Sequence, residues 1–161
     1  MLRYDFEESV GYWIFSTAHI MSRAMNEELA TLGITYRQWE VLCWLSYVGQ
    51  ITQSQLAEQM RVEAPTLVGV IDRMERDGWI SREPDPNDRR KKILRATEKV
   101  QPDWEKMVEC ARRVRAKALE GIPLDQVEIV KNALGIMREN LLAAHPSDLP
   151  TEPVGQAQPQ E

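Results

Sequence analysis

Apolar and small residues recur at spacings of one, three and four through Phe6, Val10, Trp13, Ile14, Thr17, Met21, Ala24, Met25, Leu29 and Leu32. That period predicts one amphipathic helix of roughly seven turns, over about 5–33, closed by Gly33. Thr35 followed by Gln38 reads as a capping box and opens a second helix through Trp39, Leu42 and Leu45, ending at Gly49. Thr52 with Gln55 repeats the signature and predicts a short third helix from Gln53 to Met60. After Arg61-Val62-Glu63, Pro65 sits in the first turn of a fourth helix, with Leu67, Val70, Ile71 and Met74 as its inward stripe and Gly78 at its end. Two short helices joined by a brief turn are a helix-turn-helix.

Beyond Gly78 the period shortens. Residues 79–83 and 92–97 are rich in β-branched and aromatic side chains, and Pro84-Asp85-Pro86-Asn87-Asp88 between them is a run of turn formers, so a β-hairpin is predicted. Thr97 is placed to cap a fifth helix, whose start Pro102 can bend or delay. Trp104, Met107, Val108, Ala111, Val114, Ala118 and Leu119 carry its stripe. Gly121 and Pro123 punctuate, and Val127, Val130, Leu134, Met137, Leu141 and Leu142 mark a sixth helix. After His145-Pro146 the chain is nearly free of apolar residues, and 146–161 is predicted to be a disordered tail. The expected fold class is mainly α with a small β-hairpin wing: a winged helix-turn-helix lobe over about 35–97, flanked by terminal helices over about 5–33 and 98–145, the whole forming one unit over 1–145.

Composition narrows the function. The chain has 161 residues, of which 43% are hydrophobic and 28% charged, ordinary for a globular domain. The first residues contain Arg3 and Asp5 with no apolar h-region, and no apolar run approaches the roughly 18 residues that span a bilayer. A cytoplasmic protein without membrane attachment is expected. The two cysteines, Cys43 and Cys110, and two histidines, His19 and His145, form no local metal or catalytic signature, and no Gly-rich phosphate loop is present. No metal, cofactor or enzymatic activity is expected.

The net charge of −5 taken alone disfavours a polyanionic partner, but its distribution does not. Arg89, Arg90, Lys91, Lys92 and Arg95 crowd the hairpin, opposed nearby by Asp85 and Asp88, while Glu7, Glu8, Glu27, Glu28, Glu152 and Glu161 lie far off in sequence. Exposed charges beyond a Debye length are largely screened, so the local basic edge sets the interaction. A helix-turn-helix followed by a basic hairpin is suited to duplex DNA, with the second helix in the major groove and the hairpin reaching the minor groove. With the apolar stripe of the fourth helix inward, Thr66, Gly69, Arg73 and Arg76 face outward, flanked by Pro65 and Val68. Thr66 and Arg73 can meet phosphate or a base edge, and Pro65 or Val68 a thymine methyl. Gly69 costs about 1 kcal/mol relative to alanine inside a helix, for close approach of DNA, room for a ligand, or tight helix packing. Thr52, Gln53 and Ser54 are expected to offer open N–H groups to phosphate. Arg89 is the choice for minor-groove insertion, and Arg90 for an ion pair with Asp88 or a helix carboxylate.

These segments resemble the MarR family of bacterial regulators, particularly its SlyA-like branch, from about Phe6 to Leu142. Asp85-Pro86-Asn87-Asp88-Arg89-Arg90 with Leu94-Arg95-Ala96-Thr97 is similar to the family's wing signature, and Arg89 stands where the family keeps its minor-groove arginine. Residues 63–68 and 72–82 are similar to its recognition helix and the start of its wing. Ala96 departs from a usual leucine and Val100 from a common glycine, changes that touch packing only. The resemblance implies an obligate homodimer made by the first, fifth and sixth helices, and the long apolar stripes of the terminal helices agree. Paired recognition helices about 34 Å apart would then read a pseudo-palindromic operator, with repression by occlusion.

The resemblance also implies a pocket for a small aromatic or phenolic effector, at positions that look like Trp39, Cys43, His19 and Ser22, with Arg23 near. Trp39 and Cys43 share a helix face, which a plain core helix would also give. Phe15 occupies the position of the reactive cysteine of peroxide-sensing relatives, and Tyr36 resembles a tyrosine of that branch. Neither Cys43 nor Cys110 has an obvious cationic neighbour in sequence to make a thiolate. The alternative function is a winged-helix module that binds protein, against which the basic hairpin and the polar face of the fourth helix speak.

Overall fold

The computed structural model of the chain describes residues 5–86, 88 and 91–144. The first helix is shorter than its stripe predicts. Ser9 is extended (φ −78°, ψ 111°) and its hydroxyl accepts the Tyr12 N–H at 3.4 Å, so Phe6–Glu8 forms a separate 3-10 turn and α1 runs Val10–Ala30. Gly33, at φ 71°, turns the chain toward α2, Tyr36–Val48. Both capping boxes are present. Thr35 and Gln38 exchange hydrogen bonds at 2.9 and 3.3 Å, and Thr52 and Gln55 do the same ahead of α3, Gln53–Met60. The fourth helix, α4, is Ala64–Arg76, with Pro in its first turn.

The sheet holds one more strand than the hairpin the sequence predicts. Between α2 and α3, residues Gln50–Thr52 form β1, which pairs antiparallel with β3, Lys92–Ala96, while β3 pairs with β2, Ile80–Pro84. The register sets Ile51 opposite Leu94 and Arg82 opposite the same Leu94 from the other side. A strand of this length has no readable alternation; its partner specifies it.

Thr97 does not cap the fifth helix. Its hydroxyl donates instead to the Gly78 carbonyl at 2.6 Å and its N–H to the Trp79 carbonyl at 3.0 Å, which ties the base of the wing to its own entrance. A 3-10 turn, Glu98–Val100, follows, and α5 begins only at Gln101, running to Ala118 with Pro102 in its first turn. Proline lacks the N–H that a first turn leaves unpaired, which explains the delayed start.

Leu42, Leu56, Leu67, Ile71, Met74, Ile80 and Leu94 close the core of the lobe, and Leu29 and Met107 extend it between α1 and α5. Full burial of each such side chain contributes about 1.5–3 kcal/mol. The last helix, α6, spans Leu124–Ala144 and buries nothing. Leu124 is 83% exposed and Leu141 65%. No helix among the described residues is long and apolar enough to cross a membrane. The segment 146–161, expected to be a disordered tail, lies outside the described residues, as does His145.

Candidate functional site

The amphipathic pattern of α4 sorts its side chains into two faces. Leu67, Val70, Ile71 and Met74 are buried, while Pro65, Thr66, Val68, Arg73 and Arg76 are exposed on the other side, with Gly69 half-buried among them. A Cβ at Gly69 would meet only the Arg73 guanidinium, at 3.6 Å, so the tight-packing explanation for this glycine fails. Arg76 is already engaged: its Nε donates to Asp77 Oδ1 at 3.0 Å. An exposed pair of this kind is weak and exchanges readily for another anion.

Beside this face, Thr52, Gln53, Ser54, Ala64, Lys91 and Lys92 line a cavity of about 220 Å³. It joins the start of α3 to the tip end of β3, and two of its lining residues are lysines. The Thr52 N–H is not available to an anion, contrary to the sequence expectation, because Gln55 Oε1 accepts it at 3.1 Å. The capping box that makes the helix start legible also consumes that donor, leaving Gln53 and Ser54 to supply the open N–H groups of the first turn. At the hairpin, the Asp88 N–H donates to Asp85 Oδ1 at 3.3 Å and the Lys91 N–H to the Asp88 carbonyl at 2.8 Å. Arg89 and Arg90, chosen for the wing tip, lie outside the described residues.

A second cavity, of about 450 Å³, opens where α1, α2 and α5 meet. Trp39 and Trp104 stack at 5.1 Å between ring centroids and 30° between planes, forming one wall, and Met21, Met25, Cys43 and Arg115 are among the other lining residues. Trp39 and Cys43 are thus placed together as expected from their spacing, but His19, Ser22 and Arg23 are not part of this cavity within the chain. His19 is exposed, Ser22 donates its hydroxyl to the Ala18 carbonyl at 2.8 Å, and Arg23 pairs with Glu27 at 3.0 Å along its own helix. The cationic group that sequence reasoning sought and did not find is Arg115, anchored by its Nε on the Ala111 carbonyl at 3.2 Å. It lies on α5, more than seventy positions from Cys43, and only long-range packing brings the two together.

Electrostatics at this cavity oppose thiolate chemistry. Burial, reinforced by the nearby Glu40 carboxylate and only partly offset by Arg115, pushes the Cys43 thiol up to about 12. Burial also raises the Glu40 carboxyl against the opposing pull of Arg37 and a hydrogen bond with Tyr36, and raises the Tyr36 phenol. Cys110 is buried, with Sγ 3.7 Å from the Glu28 carbonyl. It does have a cationic neighbour, contrary to expectation: Arg113, one turn on, donates to Sγ at 3.3 Å while forking onto Glu28 Oε2 at 2.7 and 3.0 Å. Among the described residues no group of three or more His, Cys, Asp or Glu side chains could hold a metal ion.

Three helices carrying an antiparallel wing, bracketed by long terminal helices, define a winged helix-turn-helix protein, and similarity to known proteins narrows this further. The sequence model of the MarR family matches residues 34–92. The uncharacterized HTH-type transcriptional regulator YwoH of Bacillus subtilis (strain 168) is 32% identical over 94 residues, 58% of this chain and 68% of the relative. Wild-type MarR from E. coli in its apo form is 25% identical with a TM-score of 0.70, over 80% of this chain and 96% of that one. A mutant MarR from E. coli complexed with operator DNA is 26% identical with a TM-score of 0.74, over 80% and 92% of the two chains. A putative MarR family regulator from Listeria monocytogenes complexed with a 26mer DNA shares the fold, at 22% identity and a TM-score of 0.76 over 85% and 91%. The chain belongs to the MarR family.

Proposed function

We propose that this chain is a cytoplasmic transcriptional repressor that binds a pseudo-palindromic operator as a homodimer and releases it when a small aromatic anion fills the cavity between α1, α2 and α5. In this reading residues 35–97 are the DNA-binding lobe, and helices in 5–33 and 98–145 hold two subunits together. Thr66, Gly69, Arg73 and Arg76, flanked by Pro65 and Val68, enter the major groove. Thr52, Gln53, Ser54 and Lys91 seat phosphates, and Arg89 and Arg90 extend the wing. The likeness of the wing sequence 85–90 supports the SlyA-like branch.

The observation that carries the proposal is the division of α4: four buried apolar residues on one side, and on the other an exposed polar and cationic face beside a lysine-lined cavity. A helix shaped this way matches the width of a major groove and meets its phosphate walls with positive charge. Dimerisation is supported by α6, which buries no residue among the described ones and leaves Leu124, Ile129, Val130, Leu134, Ile136 and Leu141 exposed. Release by ligand is supported by the stacked Trp39 and Trp104, which offer a flat apolar wall, and by Arg115, which offers a partner for a carboxylate.

Footprinting on the DNA upstream of the protein's own coding sequence, with and without salicylate, tests both parts. A protected near-palindrome that opens with ligand is expected. Protection no better than on scrambled duplex at moderate salt overturns the DNA reading, and protection indifferent to salicylate and other aromatic acids overturns the switch.

A further inference from the structure

A carboxylate stands in an awkward place. At 100° per residue, Asp72 lies near the middle of the outward face of α4, beside Pro65, Gly69 and Arg76, and Glu75 follows three positions later on the same flank. Two exposed anions on a helix that faces a polyanion repel it before any base is read. Neither is left alone. Arg82, on β2, reaches across from the wing: its Nη2 contacts Asp72 Oδ1 and its Nη1 stands 3.3 Å from Glu75 Oε2. The Arg82 side chain is only 21% exposed, against 54% for Asp72 and 41% for Glu75, and its buried Nε has no hydrogen-bond partner among the described residues.

Arg82 stands opposite Leu94 in the sheet, and its largely covered guanidinium is engaged with the two carboxylates of α4. Its planar fork can hold two carboxylates at once, which an ammonium on a flexible stem cannot do with the same geometry. We propose that Arg82 is a positioning residue of the nucleic-acid interface. It draws Asp72 and Glu75 toward the wing, cancels most of their charge at the face of α4, and fixes the strand against the helix, all without touching DNA. This inference rests on the DNA-binding reading above and adds to it an affinity determinant outside the contact face.

The test measures binding of the full-length protein to its footprinted operator and to random duplex across a salt series, with thermal melting alongside. Arg82→Gln is expected to weaken both duplexes by roughly tenfold, the order for one charge at such an interface, because unmasked carboxylates repel any sequence. Adding Asp72→Asn and Glu75→Gln to that variant is expected to restore most of the affinity, although the ion pairs are still missing. Arg82→Lys should fall between wild type and Arg82→Gln. If Arg82 merely held the fold, Asp72→Asn with Glu75→Gln would raise affinity equally in the wild-type and Arg82→Gln backgrounds, whereas masking predicts the larger gain in the Arg82→Gln background. If Arg82→Gln binds as wild type, or if the triple variant stays as weak as the single one, the proposal is wrong. A wild-type protein with no preference for any duplex overturns instead the reading on which it rests.

Discussion

Between α2 and β3, Leu42, Leu56, Leu67, Ile71 and Leu94 are each at most 1% exposed, whereas α6 carries Leu124, Ile129, Val130, Leu134 and Leu141 into solvent along its length. The two regions have the same kind of amphipathic sequence and opposite outcomes. In the lobe, three short helices and a sheet surround a common core, so each apolar stripe finds its cover within the same chain. In α6 the stripe is as regular, yet among the described residues nothing packs on it closely enough to bury a side chain. Exposed apolar surface on this scale marks an interaction site. In the homodimer proposed above, the lobe is complete within one chain, while the exposed stripe of α6 finds its cover on a second copy.

The sharpest way to break that contrast is to charge α6. Val130→Asp with Leu134→Asp places two carboxylates on one helical face, one turn apart. Sedimentation should shift from dimer to monomer, and operator affinity should fall by about a hundredfold or more, because two linked half-sites lose their mutual effective concentration. The lobe should keep its cooperative melting. A double variant that still sediments as a dimer would remove α6 from the interface and erase the distinction.

A smaller effect separates the two kinds of stability. Leu67→Ala removes a fully enclosed side chain and should cost about 2–5 kcal/mol, with a melting shift that does not depend on protein concentration. Ile129→Ala on α6 should cost less in a concentrated sample, and its melting temperature should rise with concentration as mass action restores the assembly. Equal, concentration-independent shifts for both variants would mean that α6 is covered by its own chain.

The same division governs what was legible in the sequence. Local signals carried the lobe: Thr35 with Gln38, Thr52 with Gln55, Pro65 and Gly78 each act within a few residues, and each sits where its pattern implies. Signals that depend on distant partners did not carry. β1 exists because Ile51 finds Leu94, some forty residues away. Thr97 looks like a helix cap but bonds to Gly78, across the wing. Arg115 reaches the Cys43 cavity, and Arg82 reaches Asp72, only after the chain has folded. His19, Ser22 and Arg23 are expected at that cavity by resemblance, but Ser22 bonds to the Ala18 carbonyl, Arg23 pairs with Glu27, and His19 is exposed. Even Ser9, a local signal, was hidden by an apolar stripe that continues past it on both sides.

The smallest expected effect lies at Cys43, in the cavity where α2 of the lobe meets α1 and α5. An unfolded chain releases this thiol proton near 9.0, while the native chain holds it until about 12. Between those values the unfolded state binds fewer protons than the native one, so native stability declines as pH rises from about 9 and is unaffected by this group below it. Iodoacetamide labelling of the native protein at pH 8, read by mass spectrometry on the Cys43 peptide alone, should be slow, and it should accelerate in denaturant. The Cys43→Ala variant should lose less stability between pH 9 and 10.5 than wild type does. Rapid native labelling at pH 8 would show a thiolate that this cavity cannot hold, and with it a junction already open to solvent. Labelling that stays slow until an aromatic acid is added would instead place a ligand-driven opening at the junction of α1, α2 and α5.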